Sequence, residues 1–501
     1  MINLLTAEQM RLTDAFTIDN KPVSSIDLME SASIAFVDAF VEEVGDKTTA
    51  IAILCGKGNN GGDGLAIARI LKDRGYSALA VYLIDFSSRS TAEYETNLAR
   101  IKELGLQQYR VTAAEQLQGL DAAVIIDAVL GSGLNKKLTS AYQRLAELVN
   151  TLNSQVIAVD VPTGFPAEGI IDPEDIYLKA DLVICFQRPK INFFFPESVL
   201  ALNRFRVVEI GLDESFIEEQ YSGYQLVDKH TIQELYQPRK TFSHKGTYGH
   251  ALIVAGQPQT MGAALLAAKA CLHSGAGLTT LSIPSLGLTA LNTALPEVMY
   301  LEREELIKAD LKKFKAIAIG PGLGTGDEST NLVKQLLQLK VPLVIDADAL
   351  HILGDKEDLK KMLSPGAVLT PHMKEFDHLF GRHQSWWERL QTAKEKAVQT
   401  SCVIVLKNQY TFVINTKGDV TINPTGNPAM AQGGMGDVLT GLIVSFMAQG
   451  YDADHAAIYA CYLHGLAGDE LAENRISVSA SAVAMQVSAS LKGLIKLIHH
   501  P

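Results

Sequence analysis

The chain has 501 residues, 47% hydrophobic and 20% charged, with 39 Gly and a formal net charge of −12. At roughly 100–200 residues per domain it divides into two to four folding units, and its apolar content excludes a disordered or collagen-like chain. The acidic balance argues against a nucleic-acid binder, no apolar run nears the roughly 18 residues of a membrane span, and the opening MINLLTAEQM has no leader pattern, so a soluble cytoplasmic protein with neither kind of partner is expected.

Helices are predicted at 7–20 and 26–44, ahead of the first strand. Short apolar β-branched runs then alternate with helical-period segments, the pattern of stacked βαβ units. Strands are expected at 50–55, 78–84, 122–129, 155–161, 181–186 and 206–210, with helices at 65–74, 91–104 and 140–153 between them. The acidic stretch GLDESFIEEQYSGYQ breaks that rhythm and marks a domain boundary near residue 220. A second α/β run follows, with strands at 251–255, 278–283, 316–319, 342–346, 367–370, 402–406 and 410–414. Its helices fall at 262–274, 329–339, 385–400, 436–448, 454–472 and 478–494, the last three without an intervening strand. Two α/β domains, 1–220 and 224–501, are the economical reading.

The five cysteines are widely spaced, and neither a CxxC pair nor a Cys/His cluster occurs, so neither a zinc site nor a disulfide framework is expected.

Three loops of the first domain leave the carboxyl ends of predicted parallel strands, where open α/β sheets bind ligands. GKGNNGGDGL carries Asn59, Asn60 and Asp63 among five glycines that permit positive φ and close backbone approach, and it opens into a helix whose N-terminus faces an anion well. DAVLGSGLNKK ends in two lysines, and DVPTGF places Asp160 at a strand tip. Each taken singly is a turn with a helix cap; three on one face make a site. In the second domain, NPAMAQGGMGDVLTGL sets Gly434, Gly436 and Asp437 at a helix start, an anion hole of backbone amides with a carboxylate placed to take a proton. IGPGLGTG and TPHMKEF, with His372 and Glu375, are further strand exits, and LKNQYT reads as a short hairpin that edges a nucleotide.

GNNGGDGL, DAVLGSGL and AVDVPTGF resemble the signatures of the NAD(P)H-hydrate epimerases over about residues 1–215. GNPAMAQGGMGDVLTG, IGPGLG and TPH resemble the ADP-dependent NAD(P)H-hydrate dehydratase branch of the ribokinase-like superfamily over about 228–501. The fused order is that of the bifunctional nicotinamide nucleotide repair enzymes. The resemblance implies an N-terminal Rossmann-like three-layer αβα sandwich and a C-terminal ribokinase-like α/β domain. It implies a substrate, hydrated NADH or NADPH, held in the first domain by Asn59, Asn60, Gly61, Gly62 and Asp63 and by Gly131, Ser132, Gly133, Leu134, Asn135, Lys136 and Lys137. Asp160 is then the acid/base group, and potassium is held by Asn60, Asp127 and Thr163; relatives commonly have Ser where Thr163 stands, and both supply a hydroxyl. In the second domain it places hydrated cofactor on Ala263, Gly322, His372 and Asp437, and ADP on Lys407, Asn408, Gln409, Tyr410, Thr411 and Gly436, with Mg2+ and with Asp437 as the base. Met435, Met373, Lys374 and Asn408 depart from the common pattern. A homo-oligomer is expected. The rival reading keeps the fold and assigns an ATP-dependent small-molecule kinase with a non-catalytic N-terminal binding module.

Overall fold

The computed structural model of the protein describes residues 1–133 and 136–496. They fall into two units, one of residues 3–222 with 385–387, the other of residues 1–2, 223–384 and 388 onward. The division at 222/223 lies within the acidic stretch 211–225, part of which is a helix, Glu214–Glu219, capped by Asp213.

The first unit is built on seven parallel strands: β1 (Ile51–Cys55), β2 (Leu79–Ile84), β3 (Gln107–Val111), β4 (Val124–Ala128), β5 (Gln155–Val159), β6 (Leu182–Phe186) and β7 (Phe205–Val208). Their order is β3-β2-β1-β4-β5-β6-β7, and helices cover the sheet on both sides. Central strands β1 and β4 are buried at every position, hence their continuous apolar runs. Edge strand β3 was not expected, because QQYRV is polar and mostly solvent-facing. The helix after β1 spans Asn59–Asp73 and so begins six residues before the expected 65. None of the glycines of that first loop has positive φ, contrary to the freedom anticipated for them. They answer to close approach instead: a Cβ on Gly61 would overlap the carbonyl of Gly56.

The second unit contains β8 (Tyr224–Leu226), β9 (His250–Val254), β10 (Leu278–Ile283), β11 (Met299–Glu302), β12 (Ala316–Ile319), β13 (Leu343–Ile345), β14 (Val368–Leu369), β15 (Val403–Leu406), β16 (Thr411–Ile414) and β17 (Val420–Asn423). They run in the order β8-β17-β16-β15-β14-β13-β12-β9-β10-β11. Strands β9 to β15 pair in parallel, and the β15–β16 and β16–β17 pairs are antiparallel. The short strands β8, β11 and β17 and the helices Lys229–Leu235, Leu288–Ala294, Ala347–Asp355 and Met373–Phe380 were not anticipated. The helix Met435–Ala448 is buried on nearly its whole circumference, as its mostly apolar body requires, and its Thr440 and Ser445 hydroxyls are hydrogen-bonded. It and the helices Ala453–Ala472 and Ala480–Lys496 follow in succession without a strand.

All five cysteines are free and buried. Among the described residues no helix is long and apolar enough to cross a membrane.

Candidate active sites

In the first unit the strand order reverses between β1 and β4, so the loops leaving these neighbours diverge and open a crevice at their carboxyl ends. Both predicted loops flank it. Asp127, fully buried near the tip of β4, accepts hydrogen bonds from Thr163 N–H (2.8 Å), Thr163 Oγ–H (2.7 Å) and Val129 N–H (3.2 Å). Thr163 Oγ in turn accepts from Leu130 N–H at 3.0 Å, which ties the second loop to the third. Burial pushes the Asp127 carboxyl up to about 6, against the lowering effect of those hydrogen bonds. Asn60 is buried in the first helical turn, its Nδ2 without a hydrogen-bond partner, and a Cβ on Gly131 would touch its side chain. The three residues expected at the potassium site thus come from loops that meet.

Asp160 follows β5 with φ 65°, a left-handed conformation that Asp tolerates better than most residues. Its Oδ1 accepts from Phe186 N–H at 3.1 Å and lies 2.7 Å from the Lys190 ammonium. Burial alone would lower the Lys190 pKa; Asp160 and Cys185 reverse the effect and raise it. Asp63 is held well above the carboxylate range by burial and by the charges of Asp160 and Asp14. Asp14 is pushed up to about 6 by burial, Asp160 again adding to it. Lys190 thus pairs with Asp160 and also counters the raised pKa of Asp14, whereas Asp63 is raised by its acidic neighbours without such help. Asp14 and Lys190 were missed. Asp14 lies inside a helix, away from any loop, but Lys190 stands in QRPK at the exit of β6, one strand exit left unread.

Of the second loop, Ser132, Gly133, Lys136 and Lys137 line a cavity of about 610 Å3 that Arg11 and Glu168 also border. The Lys137 ammonium is 2.7 Å from Asp172 and 2.8 Å from Asp175, so its charge is already countered. Leu134 and Asn135 lie outside the described residues. Asn59 is exposed, Gly61 and Gly62 are buried, and Asp63 is half-buried.

In the second unit the order reverses between β9 and β12. Across that crevice Gly256 N–H donates to Pro321 O (2.8 Å) and Thr260 Oγ–H to Gly322 O (2.7 Å). Ala263 lies in the first turn of the helix Met261–His273, its N–H donating to Thr260 O. Further along the sheet, Lys407 N–H donates to Pro371 O, which sets Lys407 beside His372. The Lys407 ammonium reaches Asp346 Oδ1 at 2.9 Å and Glu375 Oε2 at 3.8 Å, and Thr440 Oγ–H donates to Asp346 Oδ2 at 2.7 Å. Asp437, third residue of its helix, is pushed up to about 6 by burial and by Asp346, with Lys407 pulling the other way. Such a carboxylate is poised as a base. His372 caps the helix Met373–Phe380, accepting Glu375 N–H on Nδ1, and its ring is half-exposed. Asp346 was not anticipated as a site residue, although it is the last residue of the expected strand 342–346; it is the buried anchor of Lys407.

A cavity of about 460 Å3 opens beside Lys407, lined by Asn408, Gln409, Thr411, Gly436 and His464 among others; Tyr410 is not among its lining residues. Half-buried His464 is driven down to about 4 by desolvation and by the Lys407 charge. Its Nε2 and the Asn408 Nδ2 have no hydrogen-bond partner. Buried polar atoms left open at a cavity wall suit a ligand with both donors and acceptors.

Residues 251–488 match the family model described as NAD(P)H-hydrate dehydratase, and residues 25–192 match that of the YjeF-related protein N-terminus. The bifunctional NAD(P)H-hydrate repair enzyme Nnr of Moorella thermoacetica is 33% identical, over 94% of this chain and 93% of its own. That of Escherichia coli is 32% identical over 84% and 80%. Among solved structures, the ADP/ATP-dependent NAD(P)H-hydrate dehydratase of Bacillus subtilis, co-crystallised with ATP and Mg2+, aligns with TM-score 0.50 and 32% identity. It covers 54% of this chain and 98% of its own. A ribokinase-like superfamily protein of Enterococcus faecalis aligns with TM-score 0.51 and 29% identity, over 55% and 98%.

Proposed function

The chain belongs to the bifunctional NAD(P)H-hydrate repair enzymes, and from that premise we propose how its two sites divide the work. The first unit interconverts the R and S hydrates of NADH and NADPH. The second dehydrates the S hydrate at the expense of ADP, giving the reduced dinucleotide, AMP and phosphate.

In the second site Asp437, with its raised pKa, takes the proton of the C6 hydroxyl. The hydroxyl oxygen forms a bond to the β-phosphorus of ADP as the bridge to AMP breaks. The phosphate then leaves C6 with its electron pair, pushed out by the ring nitrogen's lone pair, and loss of a proton from C5 of the resulting iminium to the departing phosphate forms the C5–C6 double bond and restores the dihydronicotinamide. The backbone amides of 434–437 at the helix N-terminus and the Lys407 ammonium face the transferring charge. ADP sits along Lys407, Asn408, Gln409, Thr411 and Gly436, with the open donors and acceptors of Asn408 and His464 toward its base. Mg2+ on the nucleotide would be held with the carboxylates of Asp346 and Glu375, hard oxygen ligands of the kind it prefers, and would offset phosphate charge. The observation that carries this reading is Lys407 drawn between Asp346, Glu375 and Asp437 beside an open, polar-walled cavity.

In the first site Asp160 takes the proton of the C6 hydroxyl as the C6–N1 bond opens to an aldehyde and returns it as the ring nitrogen closes on the opposite face, and Lys190 keeps Asp160 in place. Asn60, Asp127 and Thr163 offer amide, carboxylate and hydroxyl oxygens to a potassium ion. Among the described residues no ammonium or guanidinium pairs with Asp127, so a bound cation would supply the charge its buried carboxylate lacks. A small-molecule kinase would share the second site but leaves unexplained the carboxylate and lysine cluster of the first.

The test follows reduced-nicotinamide absorbance from an R/S hydrate mixture, with and without ADP. The full chain should consume both epimers only with ADP, and the Asp160→Asn chain should stall with R remaining. Recovery with ATP alone and no ADP, or without either nucleotide, would refute the assignment.

A further inference from the structure

Sequence spacing offered no Cys/His cluster, yet the fold assembles a compact histidine–aspartate group on the surface of the second unit. His351 and Asp355 stand four residues apart on the helix Ala347–Asp355 and so share one face. His378 comes from the helix Met373–Phe380 and lies against them. Its Nε2 is 3.0 Å from Asp355 Oδ1, and His351 Nε2 is 3.7 Å from Asp355 Oδ2. The two imidazoles stack with centroids 4.4 Å apart and planes 10° from parallel. One nitrogen from each ring and a carboxylate oxygen all fall within 4.8 Å of one another.

We propose that His351, Asp355 and His378 form a binding site for a divalent transition-metal ion of the Zn2+ type, tying these two helices together. Bonds of about 2.0–2.1 Å to a tetrahedral zinc set its ligand atoms about 3.3 Å apart. The observed spacings are close to that, and all three side chains are exposed enough to adjust. Two imidazoles and one carboxylate leave a fourth position for water, and the nitrogen donors disfavour Mg2+ and Ca2+.

Gly354 supports this from an independent direction. It sits in the last turn of the helix, where glycine is a poor helix former, and its φ is not left-handed, so the backbone does not demand it. Space does: a Cβ there would overlap the His378 ring. The missing side chain is what lets the imidazole lie beside Asp355.

The group is separate from the nucleotide site. Both helices start at strand exits, after Asp346 and at His372; Asp355 and His378 stand toward their far ends and His351 at mid-helix. At about 1.5 Å per residue, His378 is about 9 Å beyond His372, and Asp355 about 13 Å beyond Asp346.

The experiment uses the full-length, untagged chain, stripped with a chelator and dialysed against Zn2+, with Co2+ as a visible probe. One equivalent of Zn2+ should be retained at micromolar free metal, with a rise in melting temperature that Mg2+ does not give. Co2+ should produce the intense visible bands of a four- or five-coordinate ion. His378→Ala and Asp355→Asn should each weaken Zn2+ binding at least about tenfold, as loss of a ligand requires. Gly354→Ala should weaken it while keeping every ligand. Failure of the full chain to retain Zn2+, or equal retention by the His351→Ala/His378→Ala double variant, would overturn the proposal.

Discussion

The ammonium of Lys190 lies 2.7 Å from Oδ1 of Asp160, and the two side chains are only 7% and 12% exposed. An aspartate at a strand tip is thereby more than a helix cap. It is one half of a buried ion pair, with Asp14 drawing on the same positive charge.

Lys190→Met should therefore destabilise the first unit by about 3–5 kcal/mol, the range for removing one partner of a buried pair. The loss should be larger at pH 8 than at pH 5. Asp14 has a raised pKa in the folded chain, so its cost to stability builds as pH rises from 3.8 to about 6 and stays above that; without Lys190 that pKa, and with it the cost at pH 8, increases further. Urea unfolding at the two pH values measures this, and equal losses would show that the lysine does not counter that charge.

Asp437→Asn should lower ADP-dependent repair at least about a hundredfold. The same change should raise the melting temperature. A carboxylate whose folded pKa is about 6 against an ordinary 3.8 costs stability once ionised. The gain should be present at pH 8, shrink as pH falls through about 6, and vanish below about 4, where both forms are neutral. Wild-type dehydration should fall along an acid limb near pH 6. A flat profile down to pH 5 would remove Asp437 as the base.

Potassium should stabilise the protein through Asp127. Exchange of choline for potassium at constant ionic strength should raise the wild-type melting temperature and epimerisation rate, by linkage to a cation bound only in the folded state. Asp127→Asn should lose both responses while dehydration of the S hydrate persists. An unchanged potassium response in the variant would place the ion elsewhere.

Two glycines of one loop should behave oppositely. Gly61→Ala forces a methyl onto the backbone of Gly56 and should cost about 1–3 kcal/mol or more. Gly58 has open space around its Cβ direction and occupies the N-cap of Asn59–Asp73 with extended φ and ψ. Gly58→Ser should be neutral or stabilising, because a serine hydroxyl can accept an N–H the helix start leaves open. Thermal melts of the two variants decide it.

Strands buried on both faces, such as β1, β4 and β12, were legible because each is an unbroken apolar run. Edge strands β3 and β11 and the short β8 were not, since partial exposure leaves polar residues that read as loop. The Gly-rich and strand-tip residues drew notice for the same reason that they gather: chain reversals at a switch point need them. Asp14 escaped because nothing local sets it apart inside its helix, while Lys190 and Asp346 stand at strand ends but lack the glycines that drew attention to the other loops. Their significance arises when Lys190 meets Asp160 and Asp346 meets Lys407, contacts 30 and 61 residues apart in sequence.

The left-handed backbone at residue 160 restricts what can replace the aspartate without distortion. Asparagine and glycine are the residues most at ease there, whereas glutamate, which would preserve the charge, is not. Genetic drift at this codon is thus channelled toward substitutions that keep the loop's shape and delete its carboxylate. On the role proposed for Asp160, a chain so altered would superpose on this one strand for strand and yet lack the chemistry of its first half, so inheritance of the fold is no warrant for inheritance of the chemistry; identity at this single position is the better diagnostic.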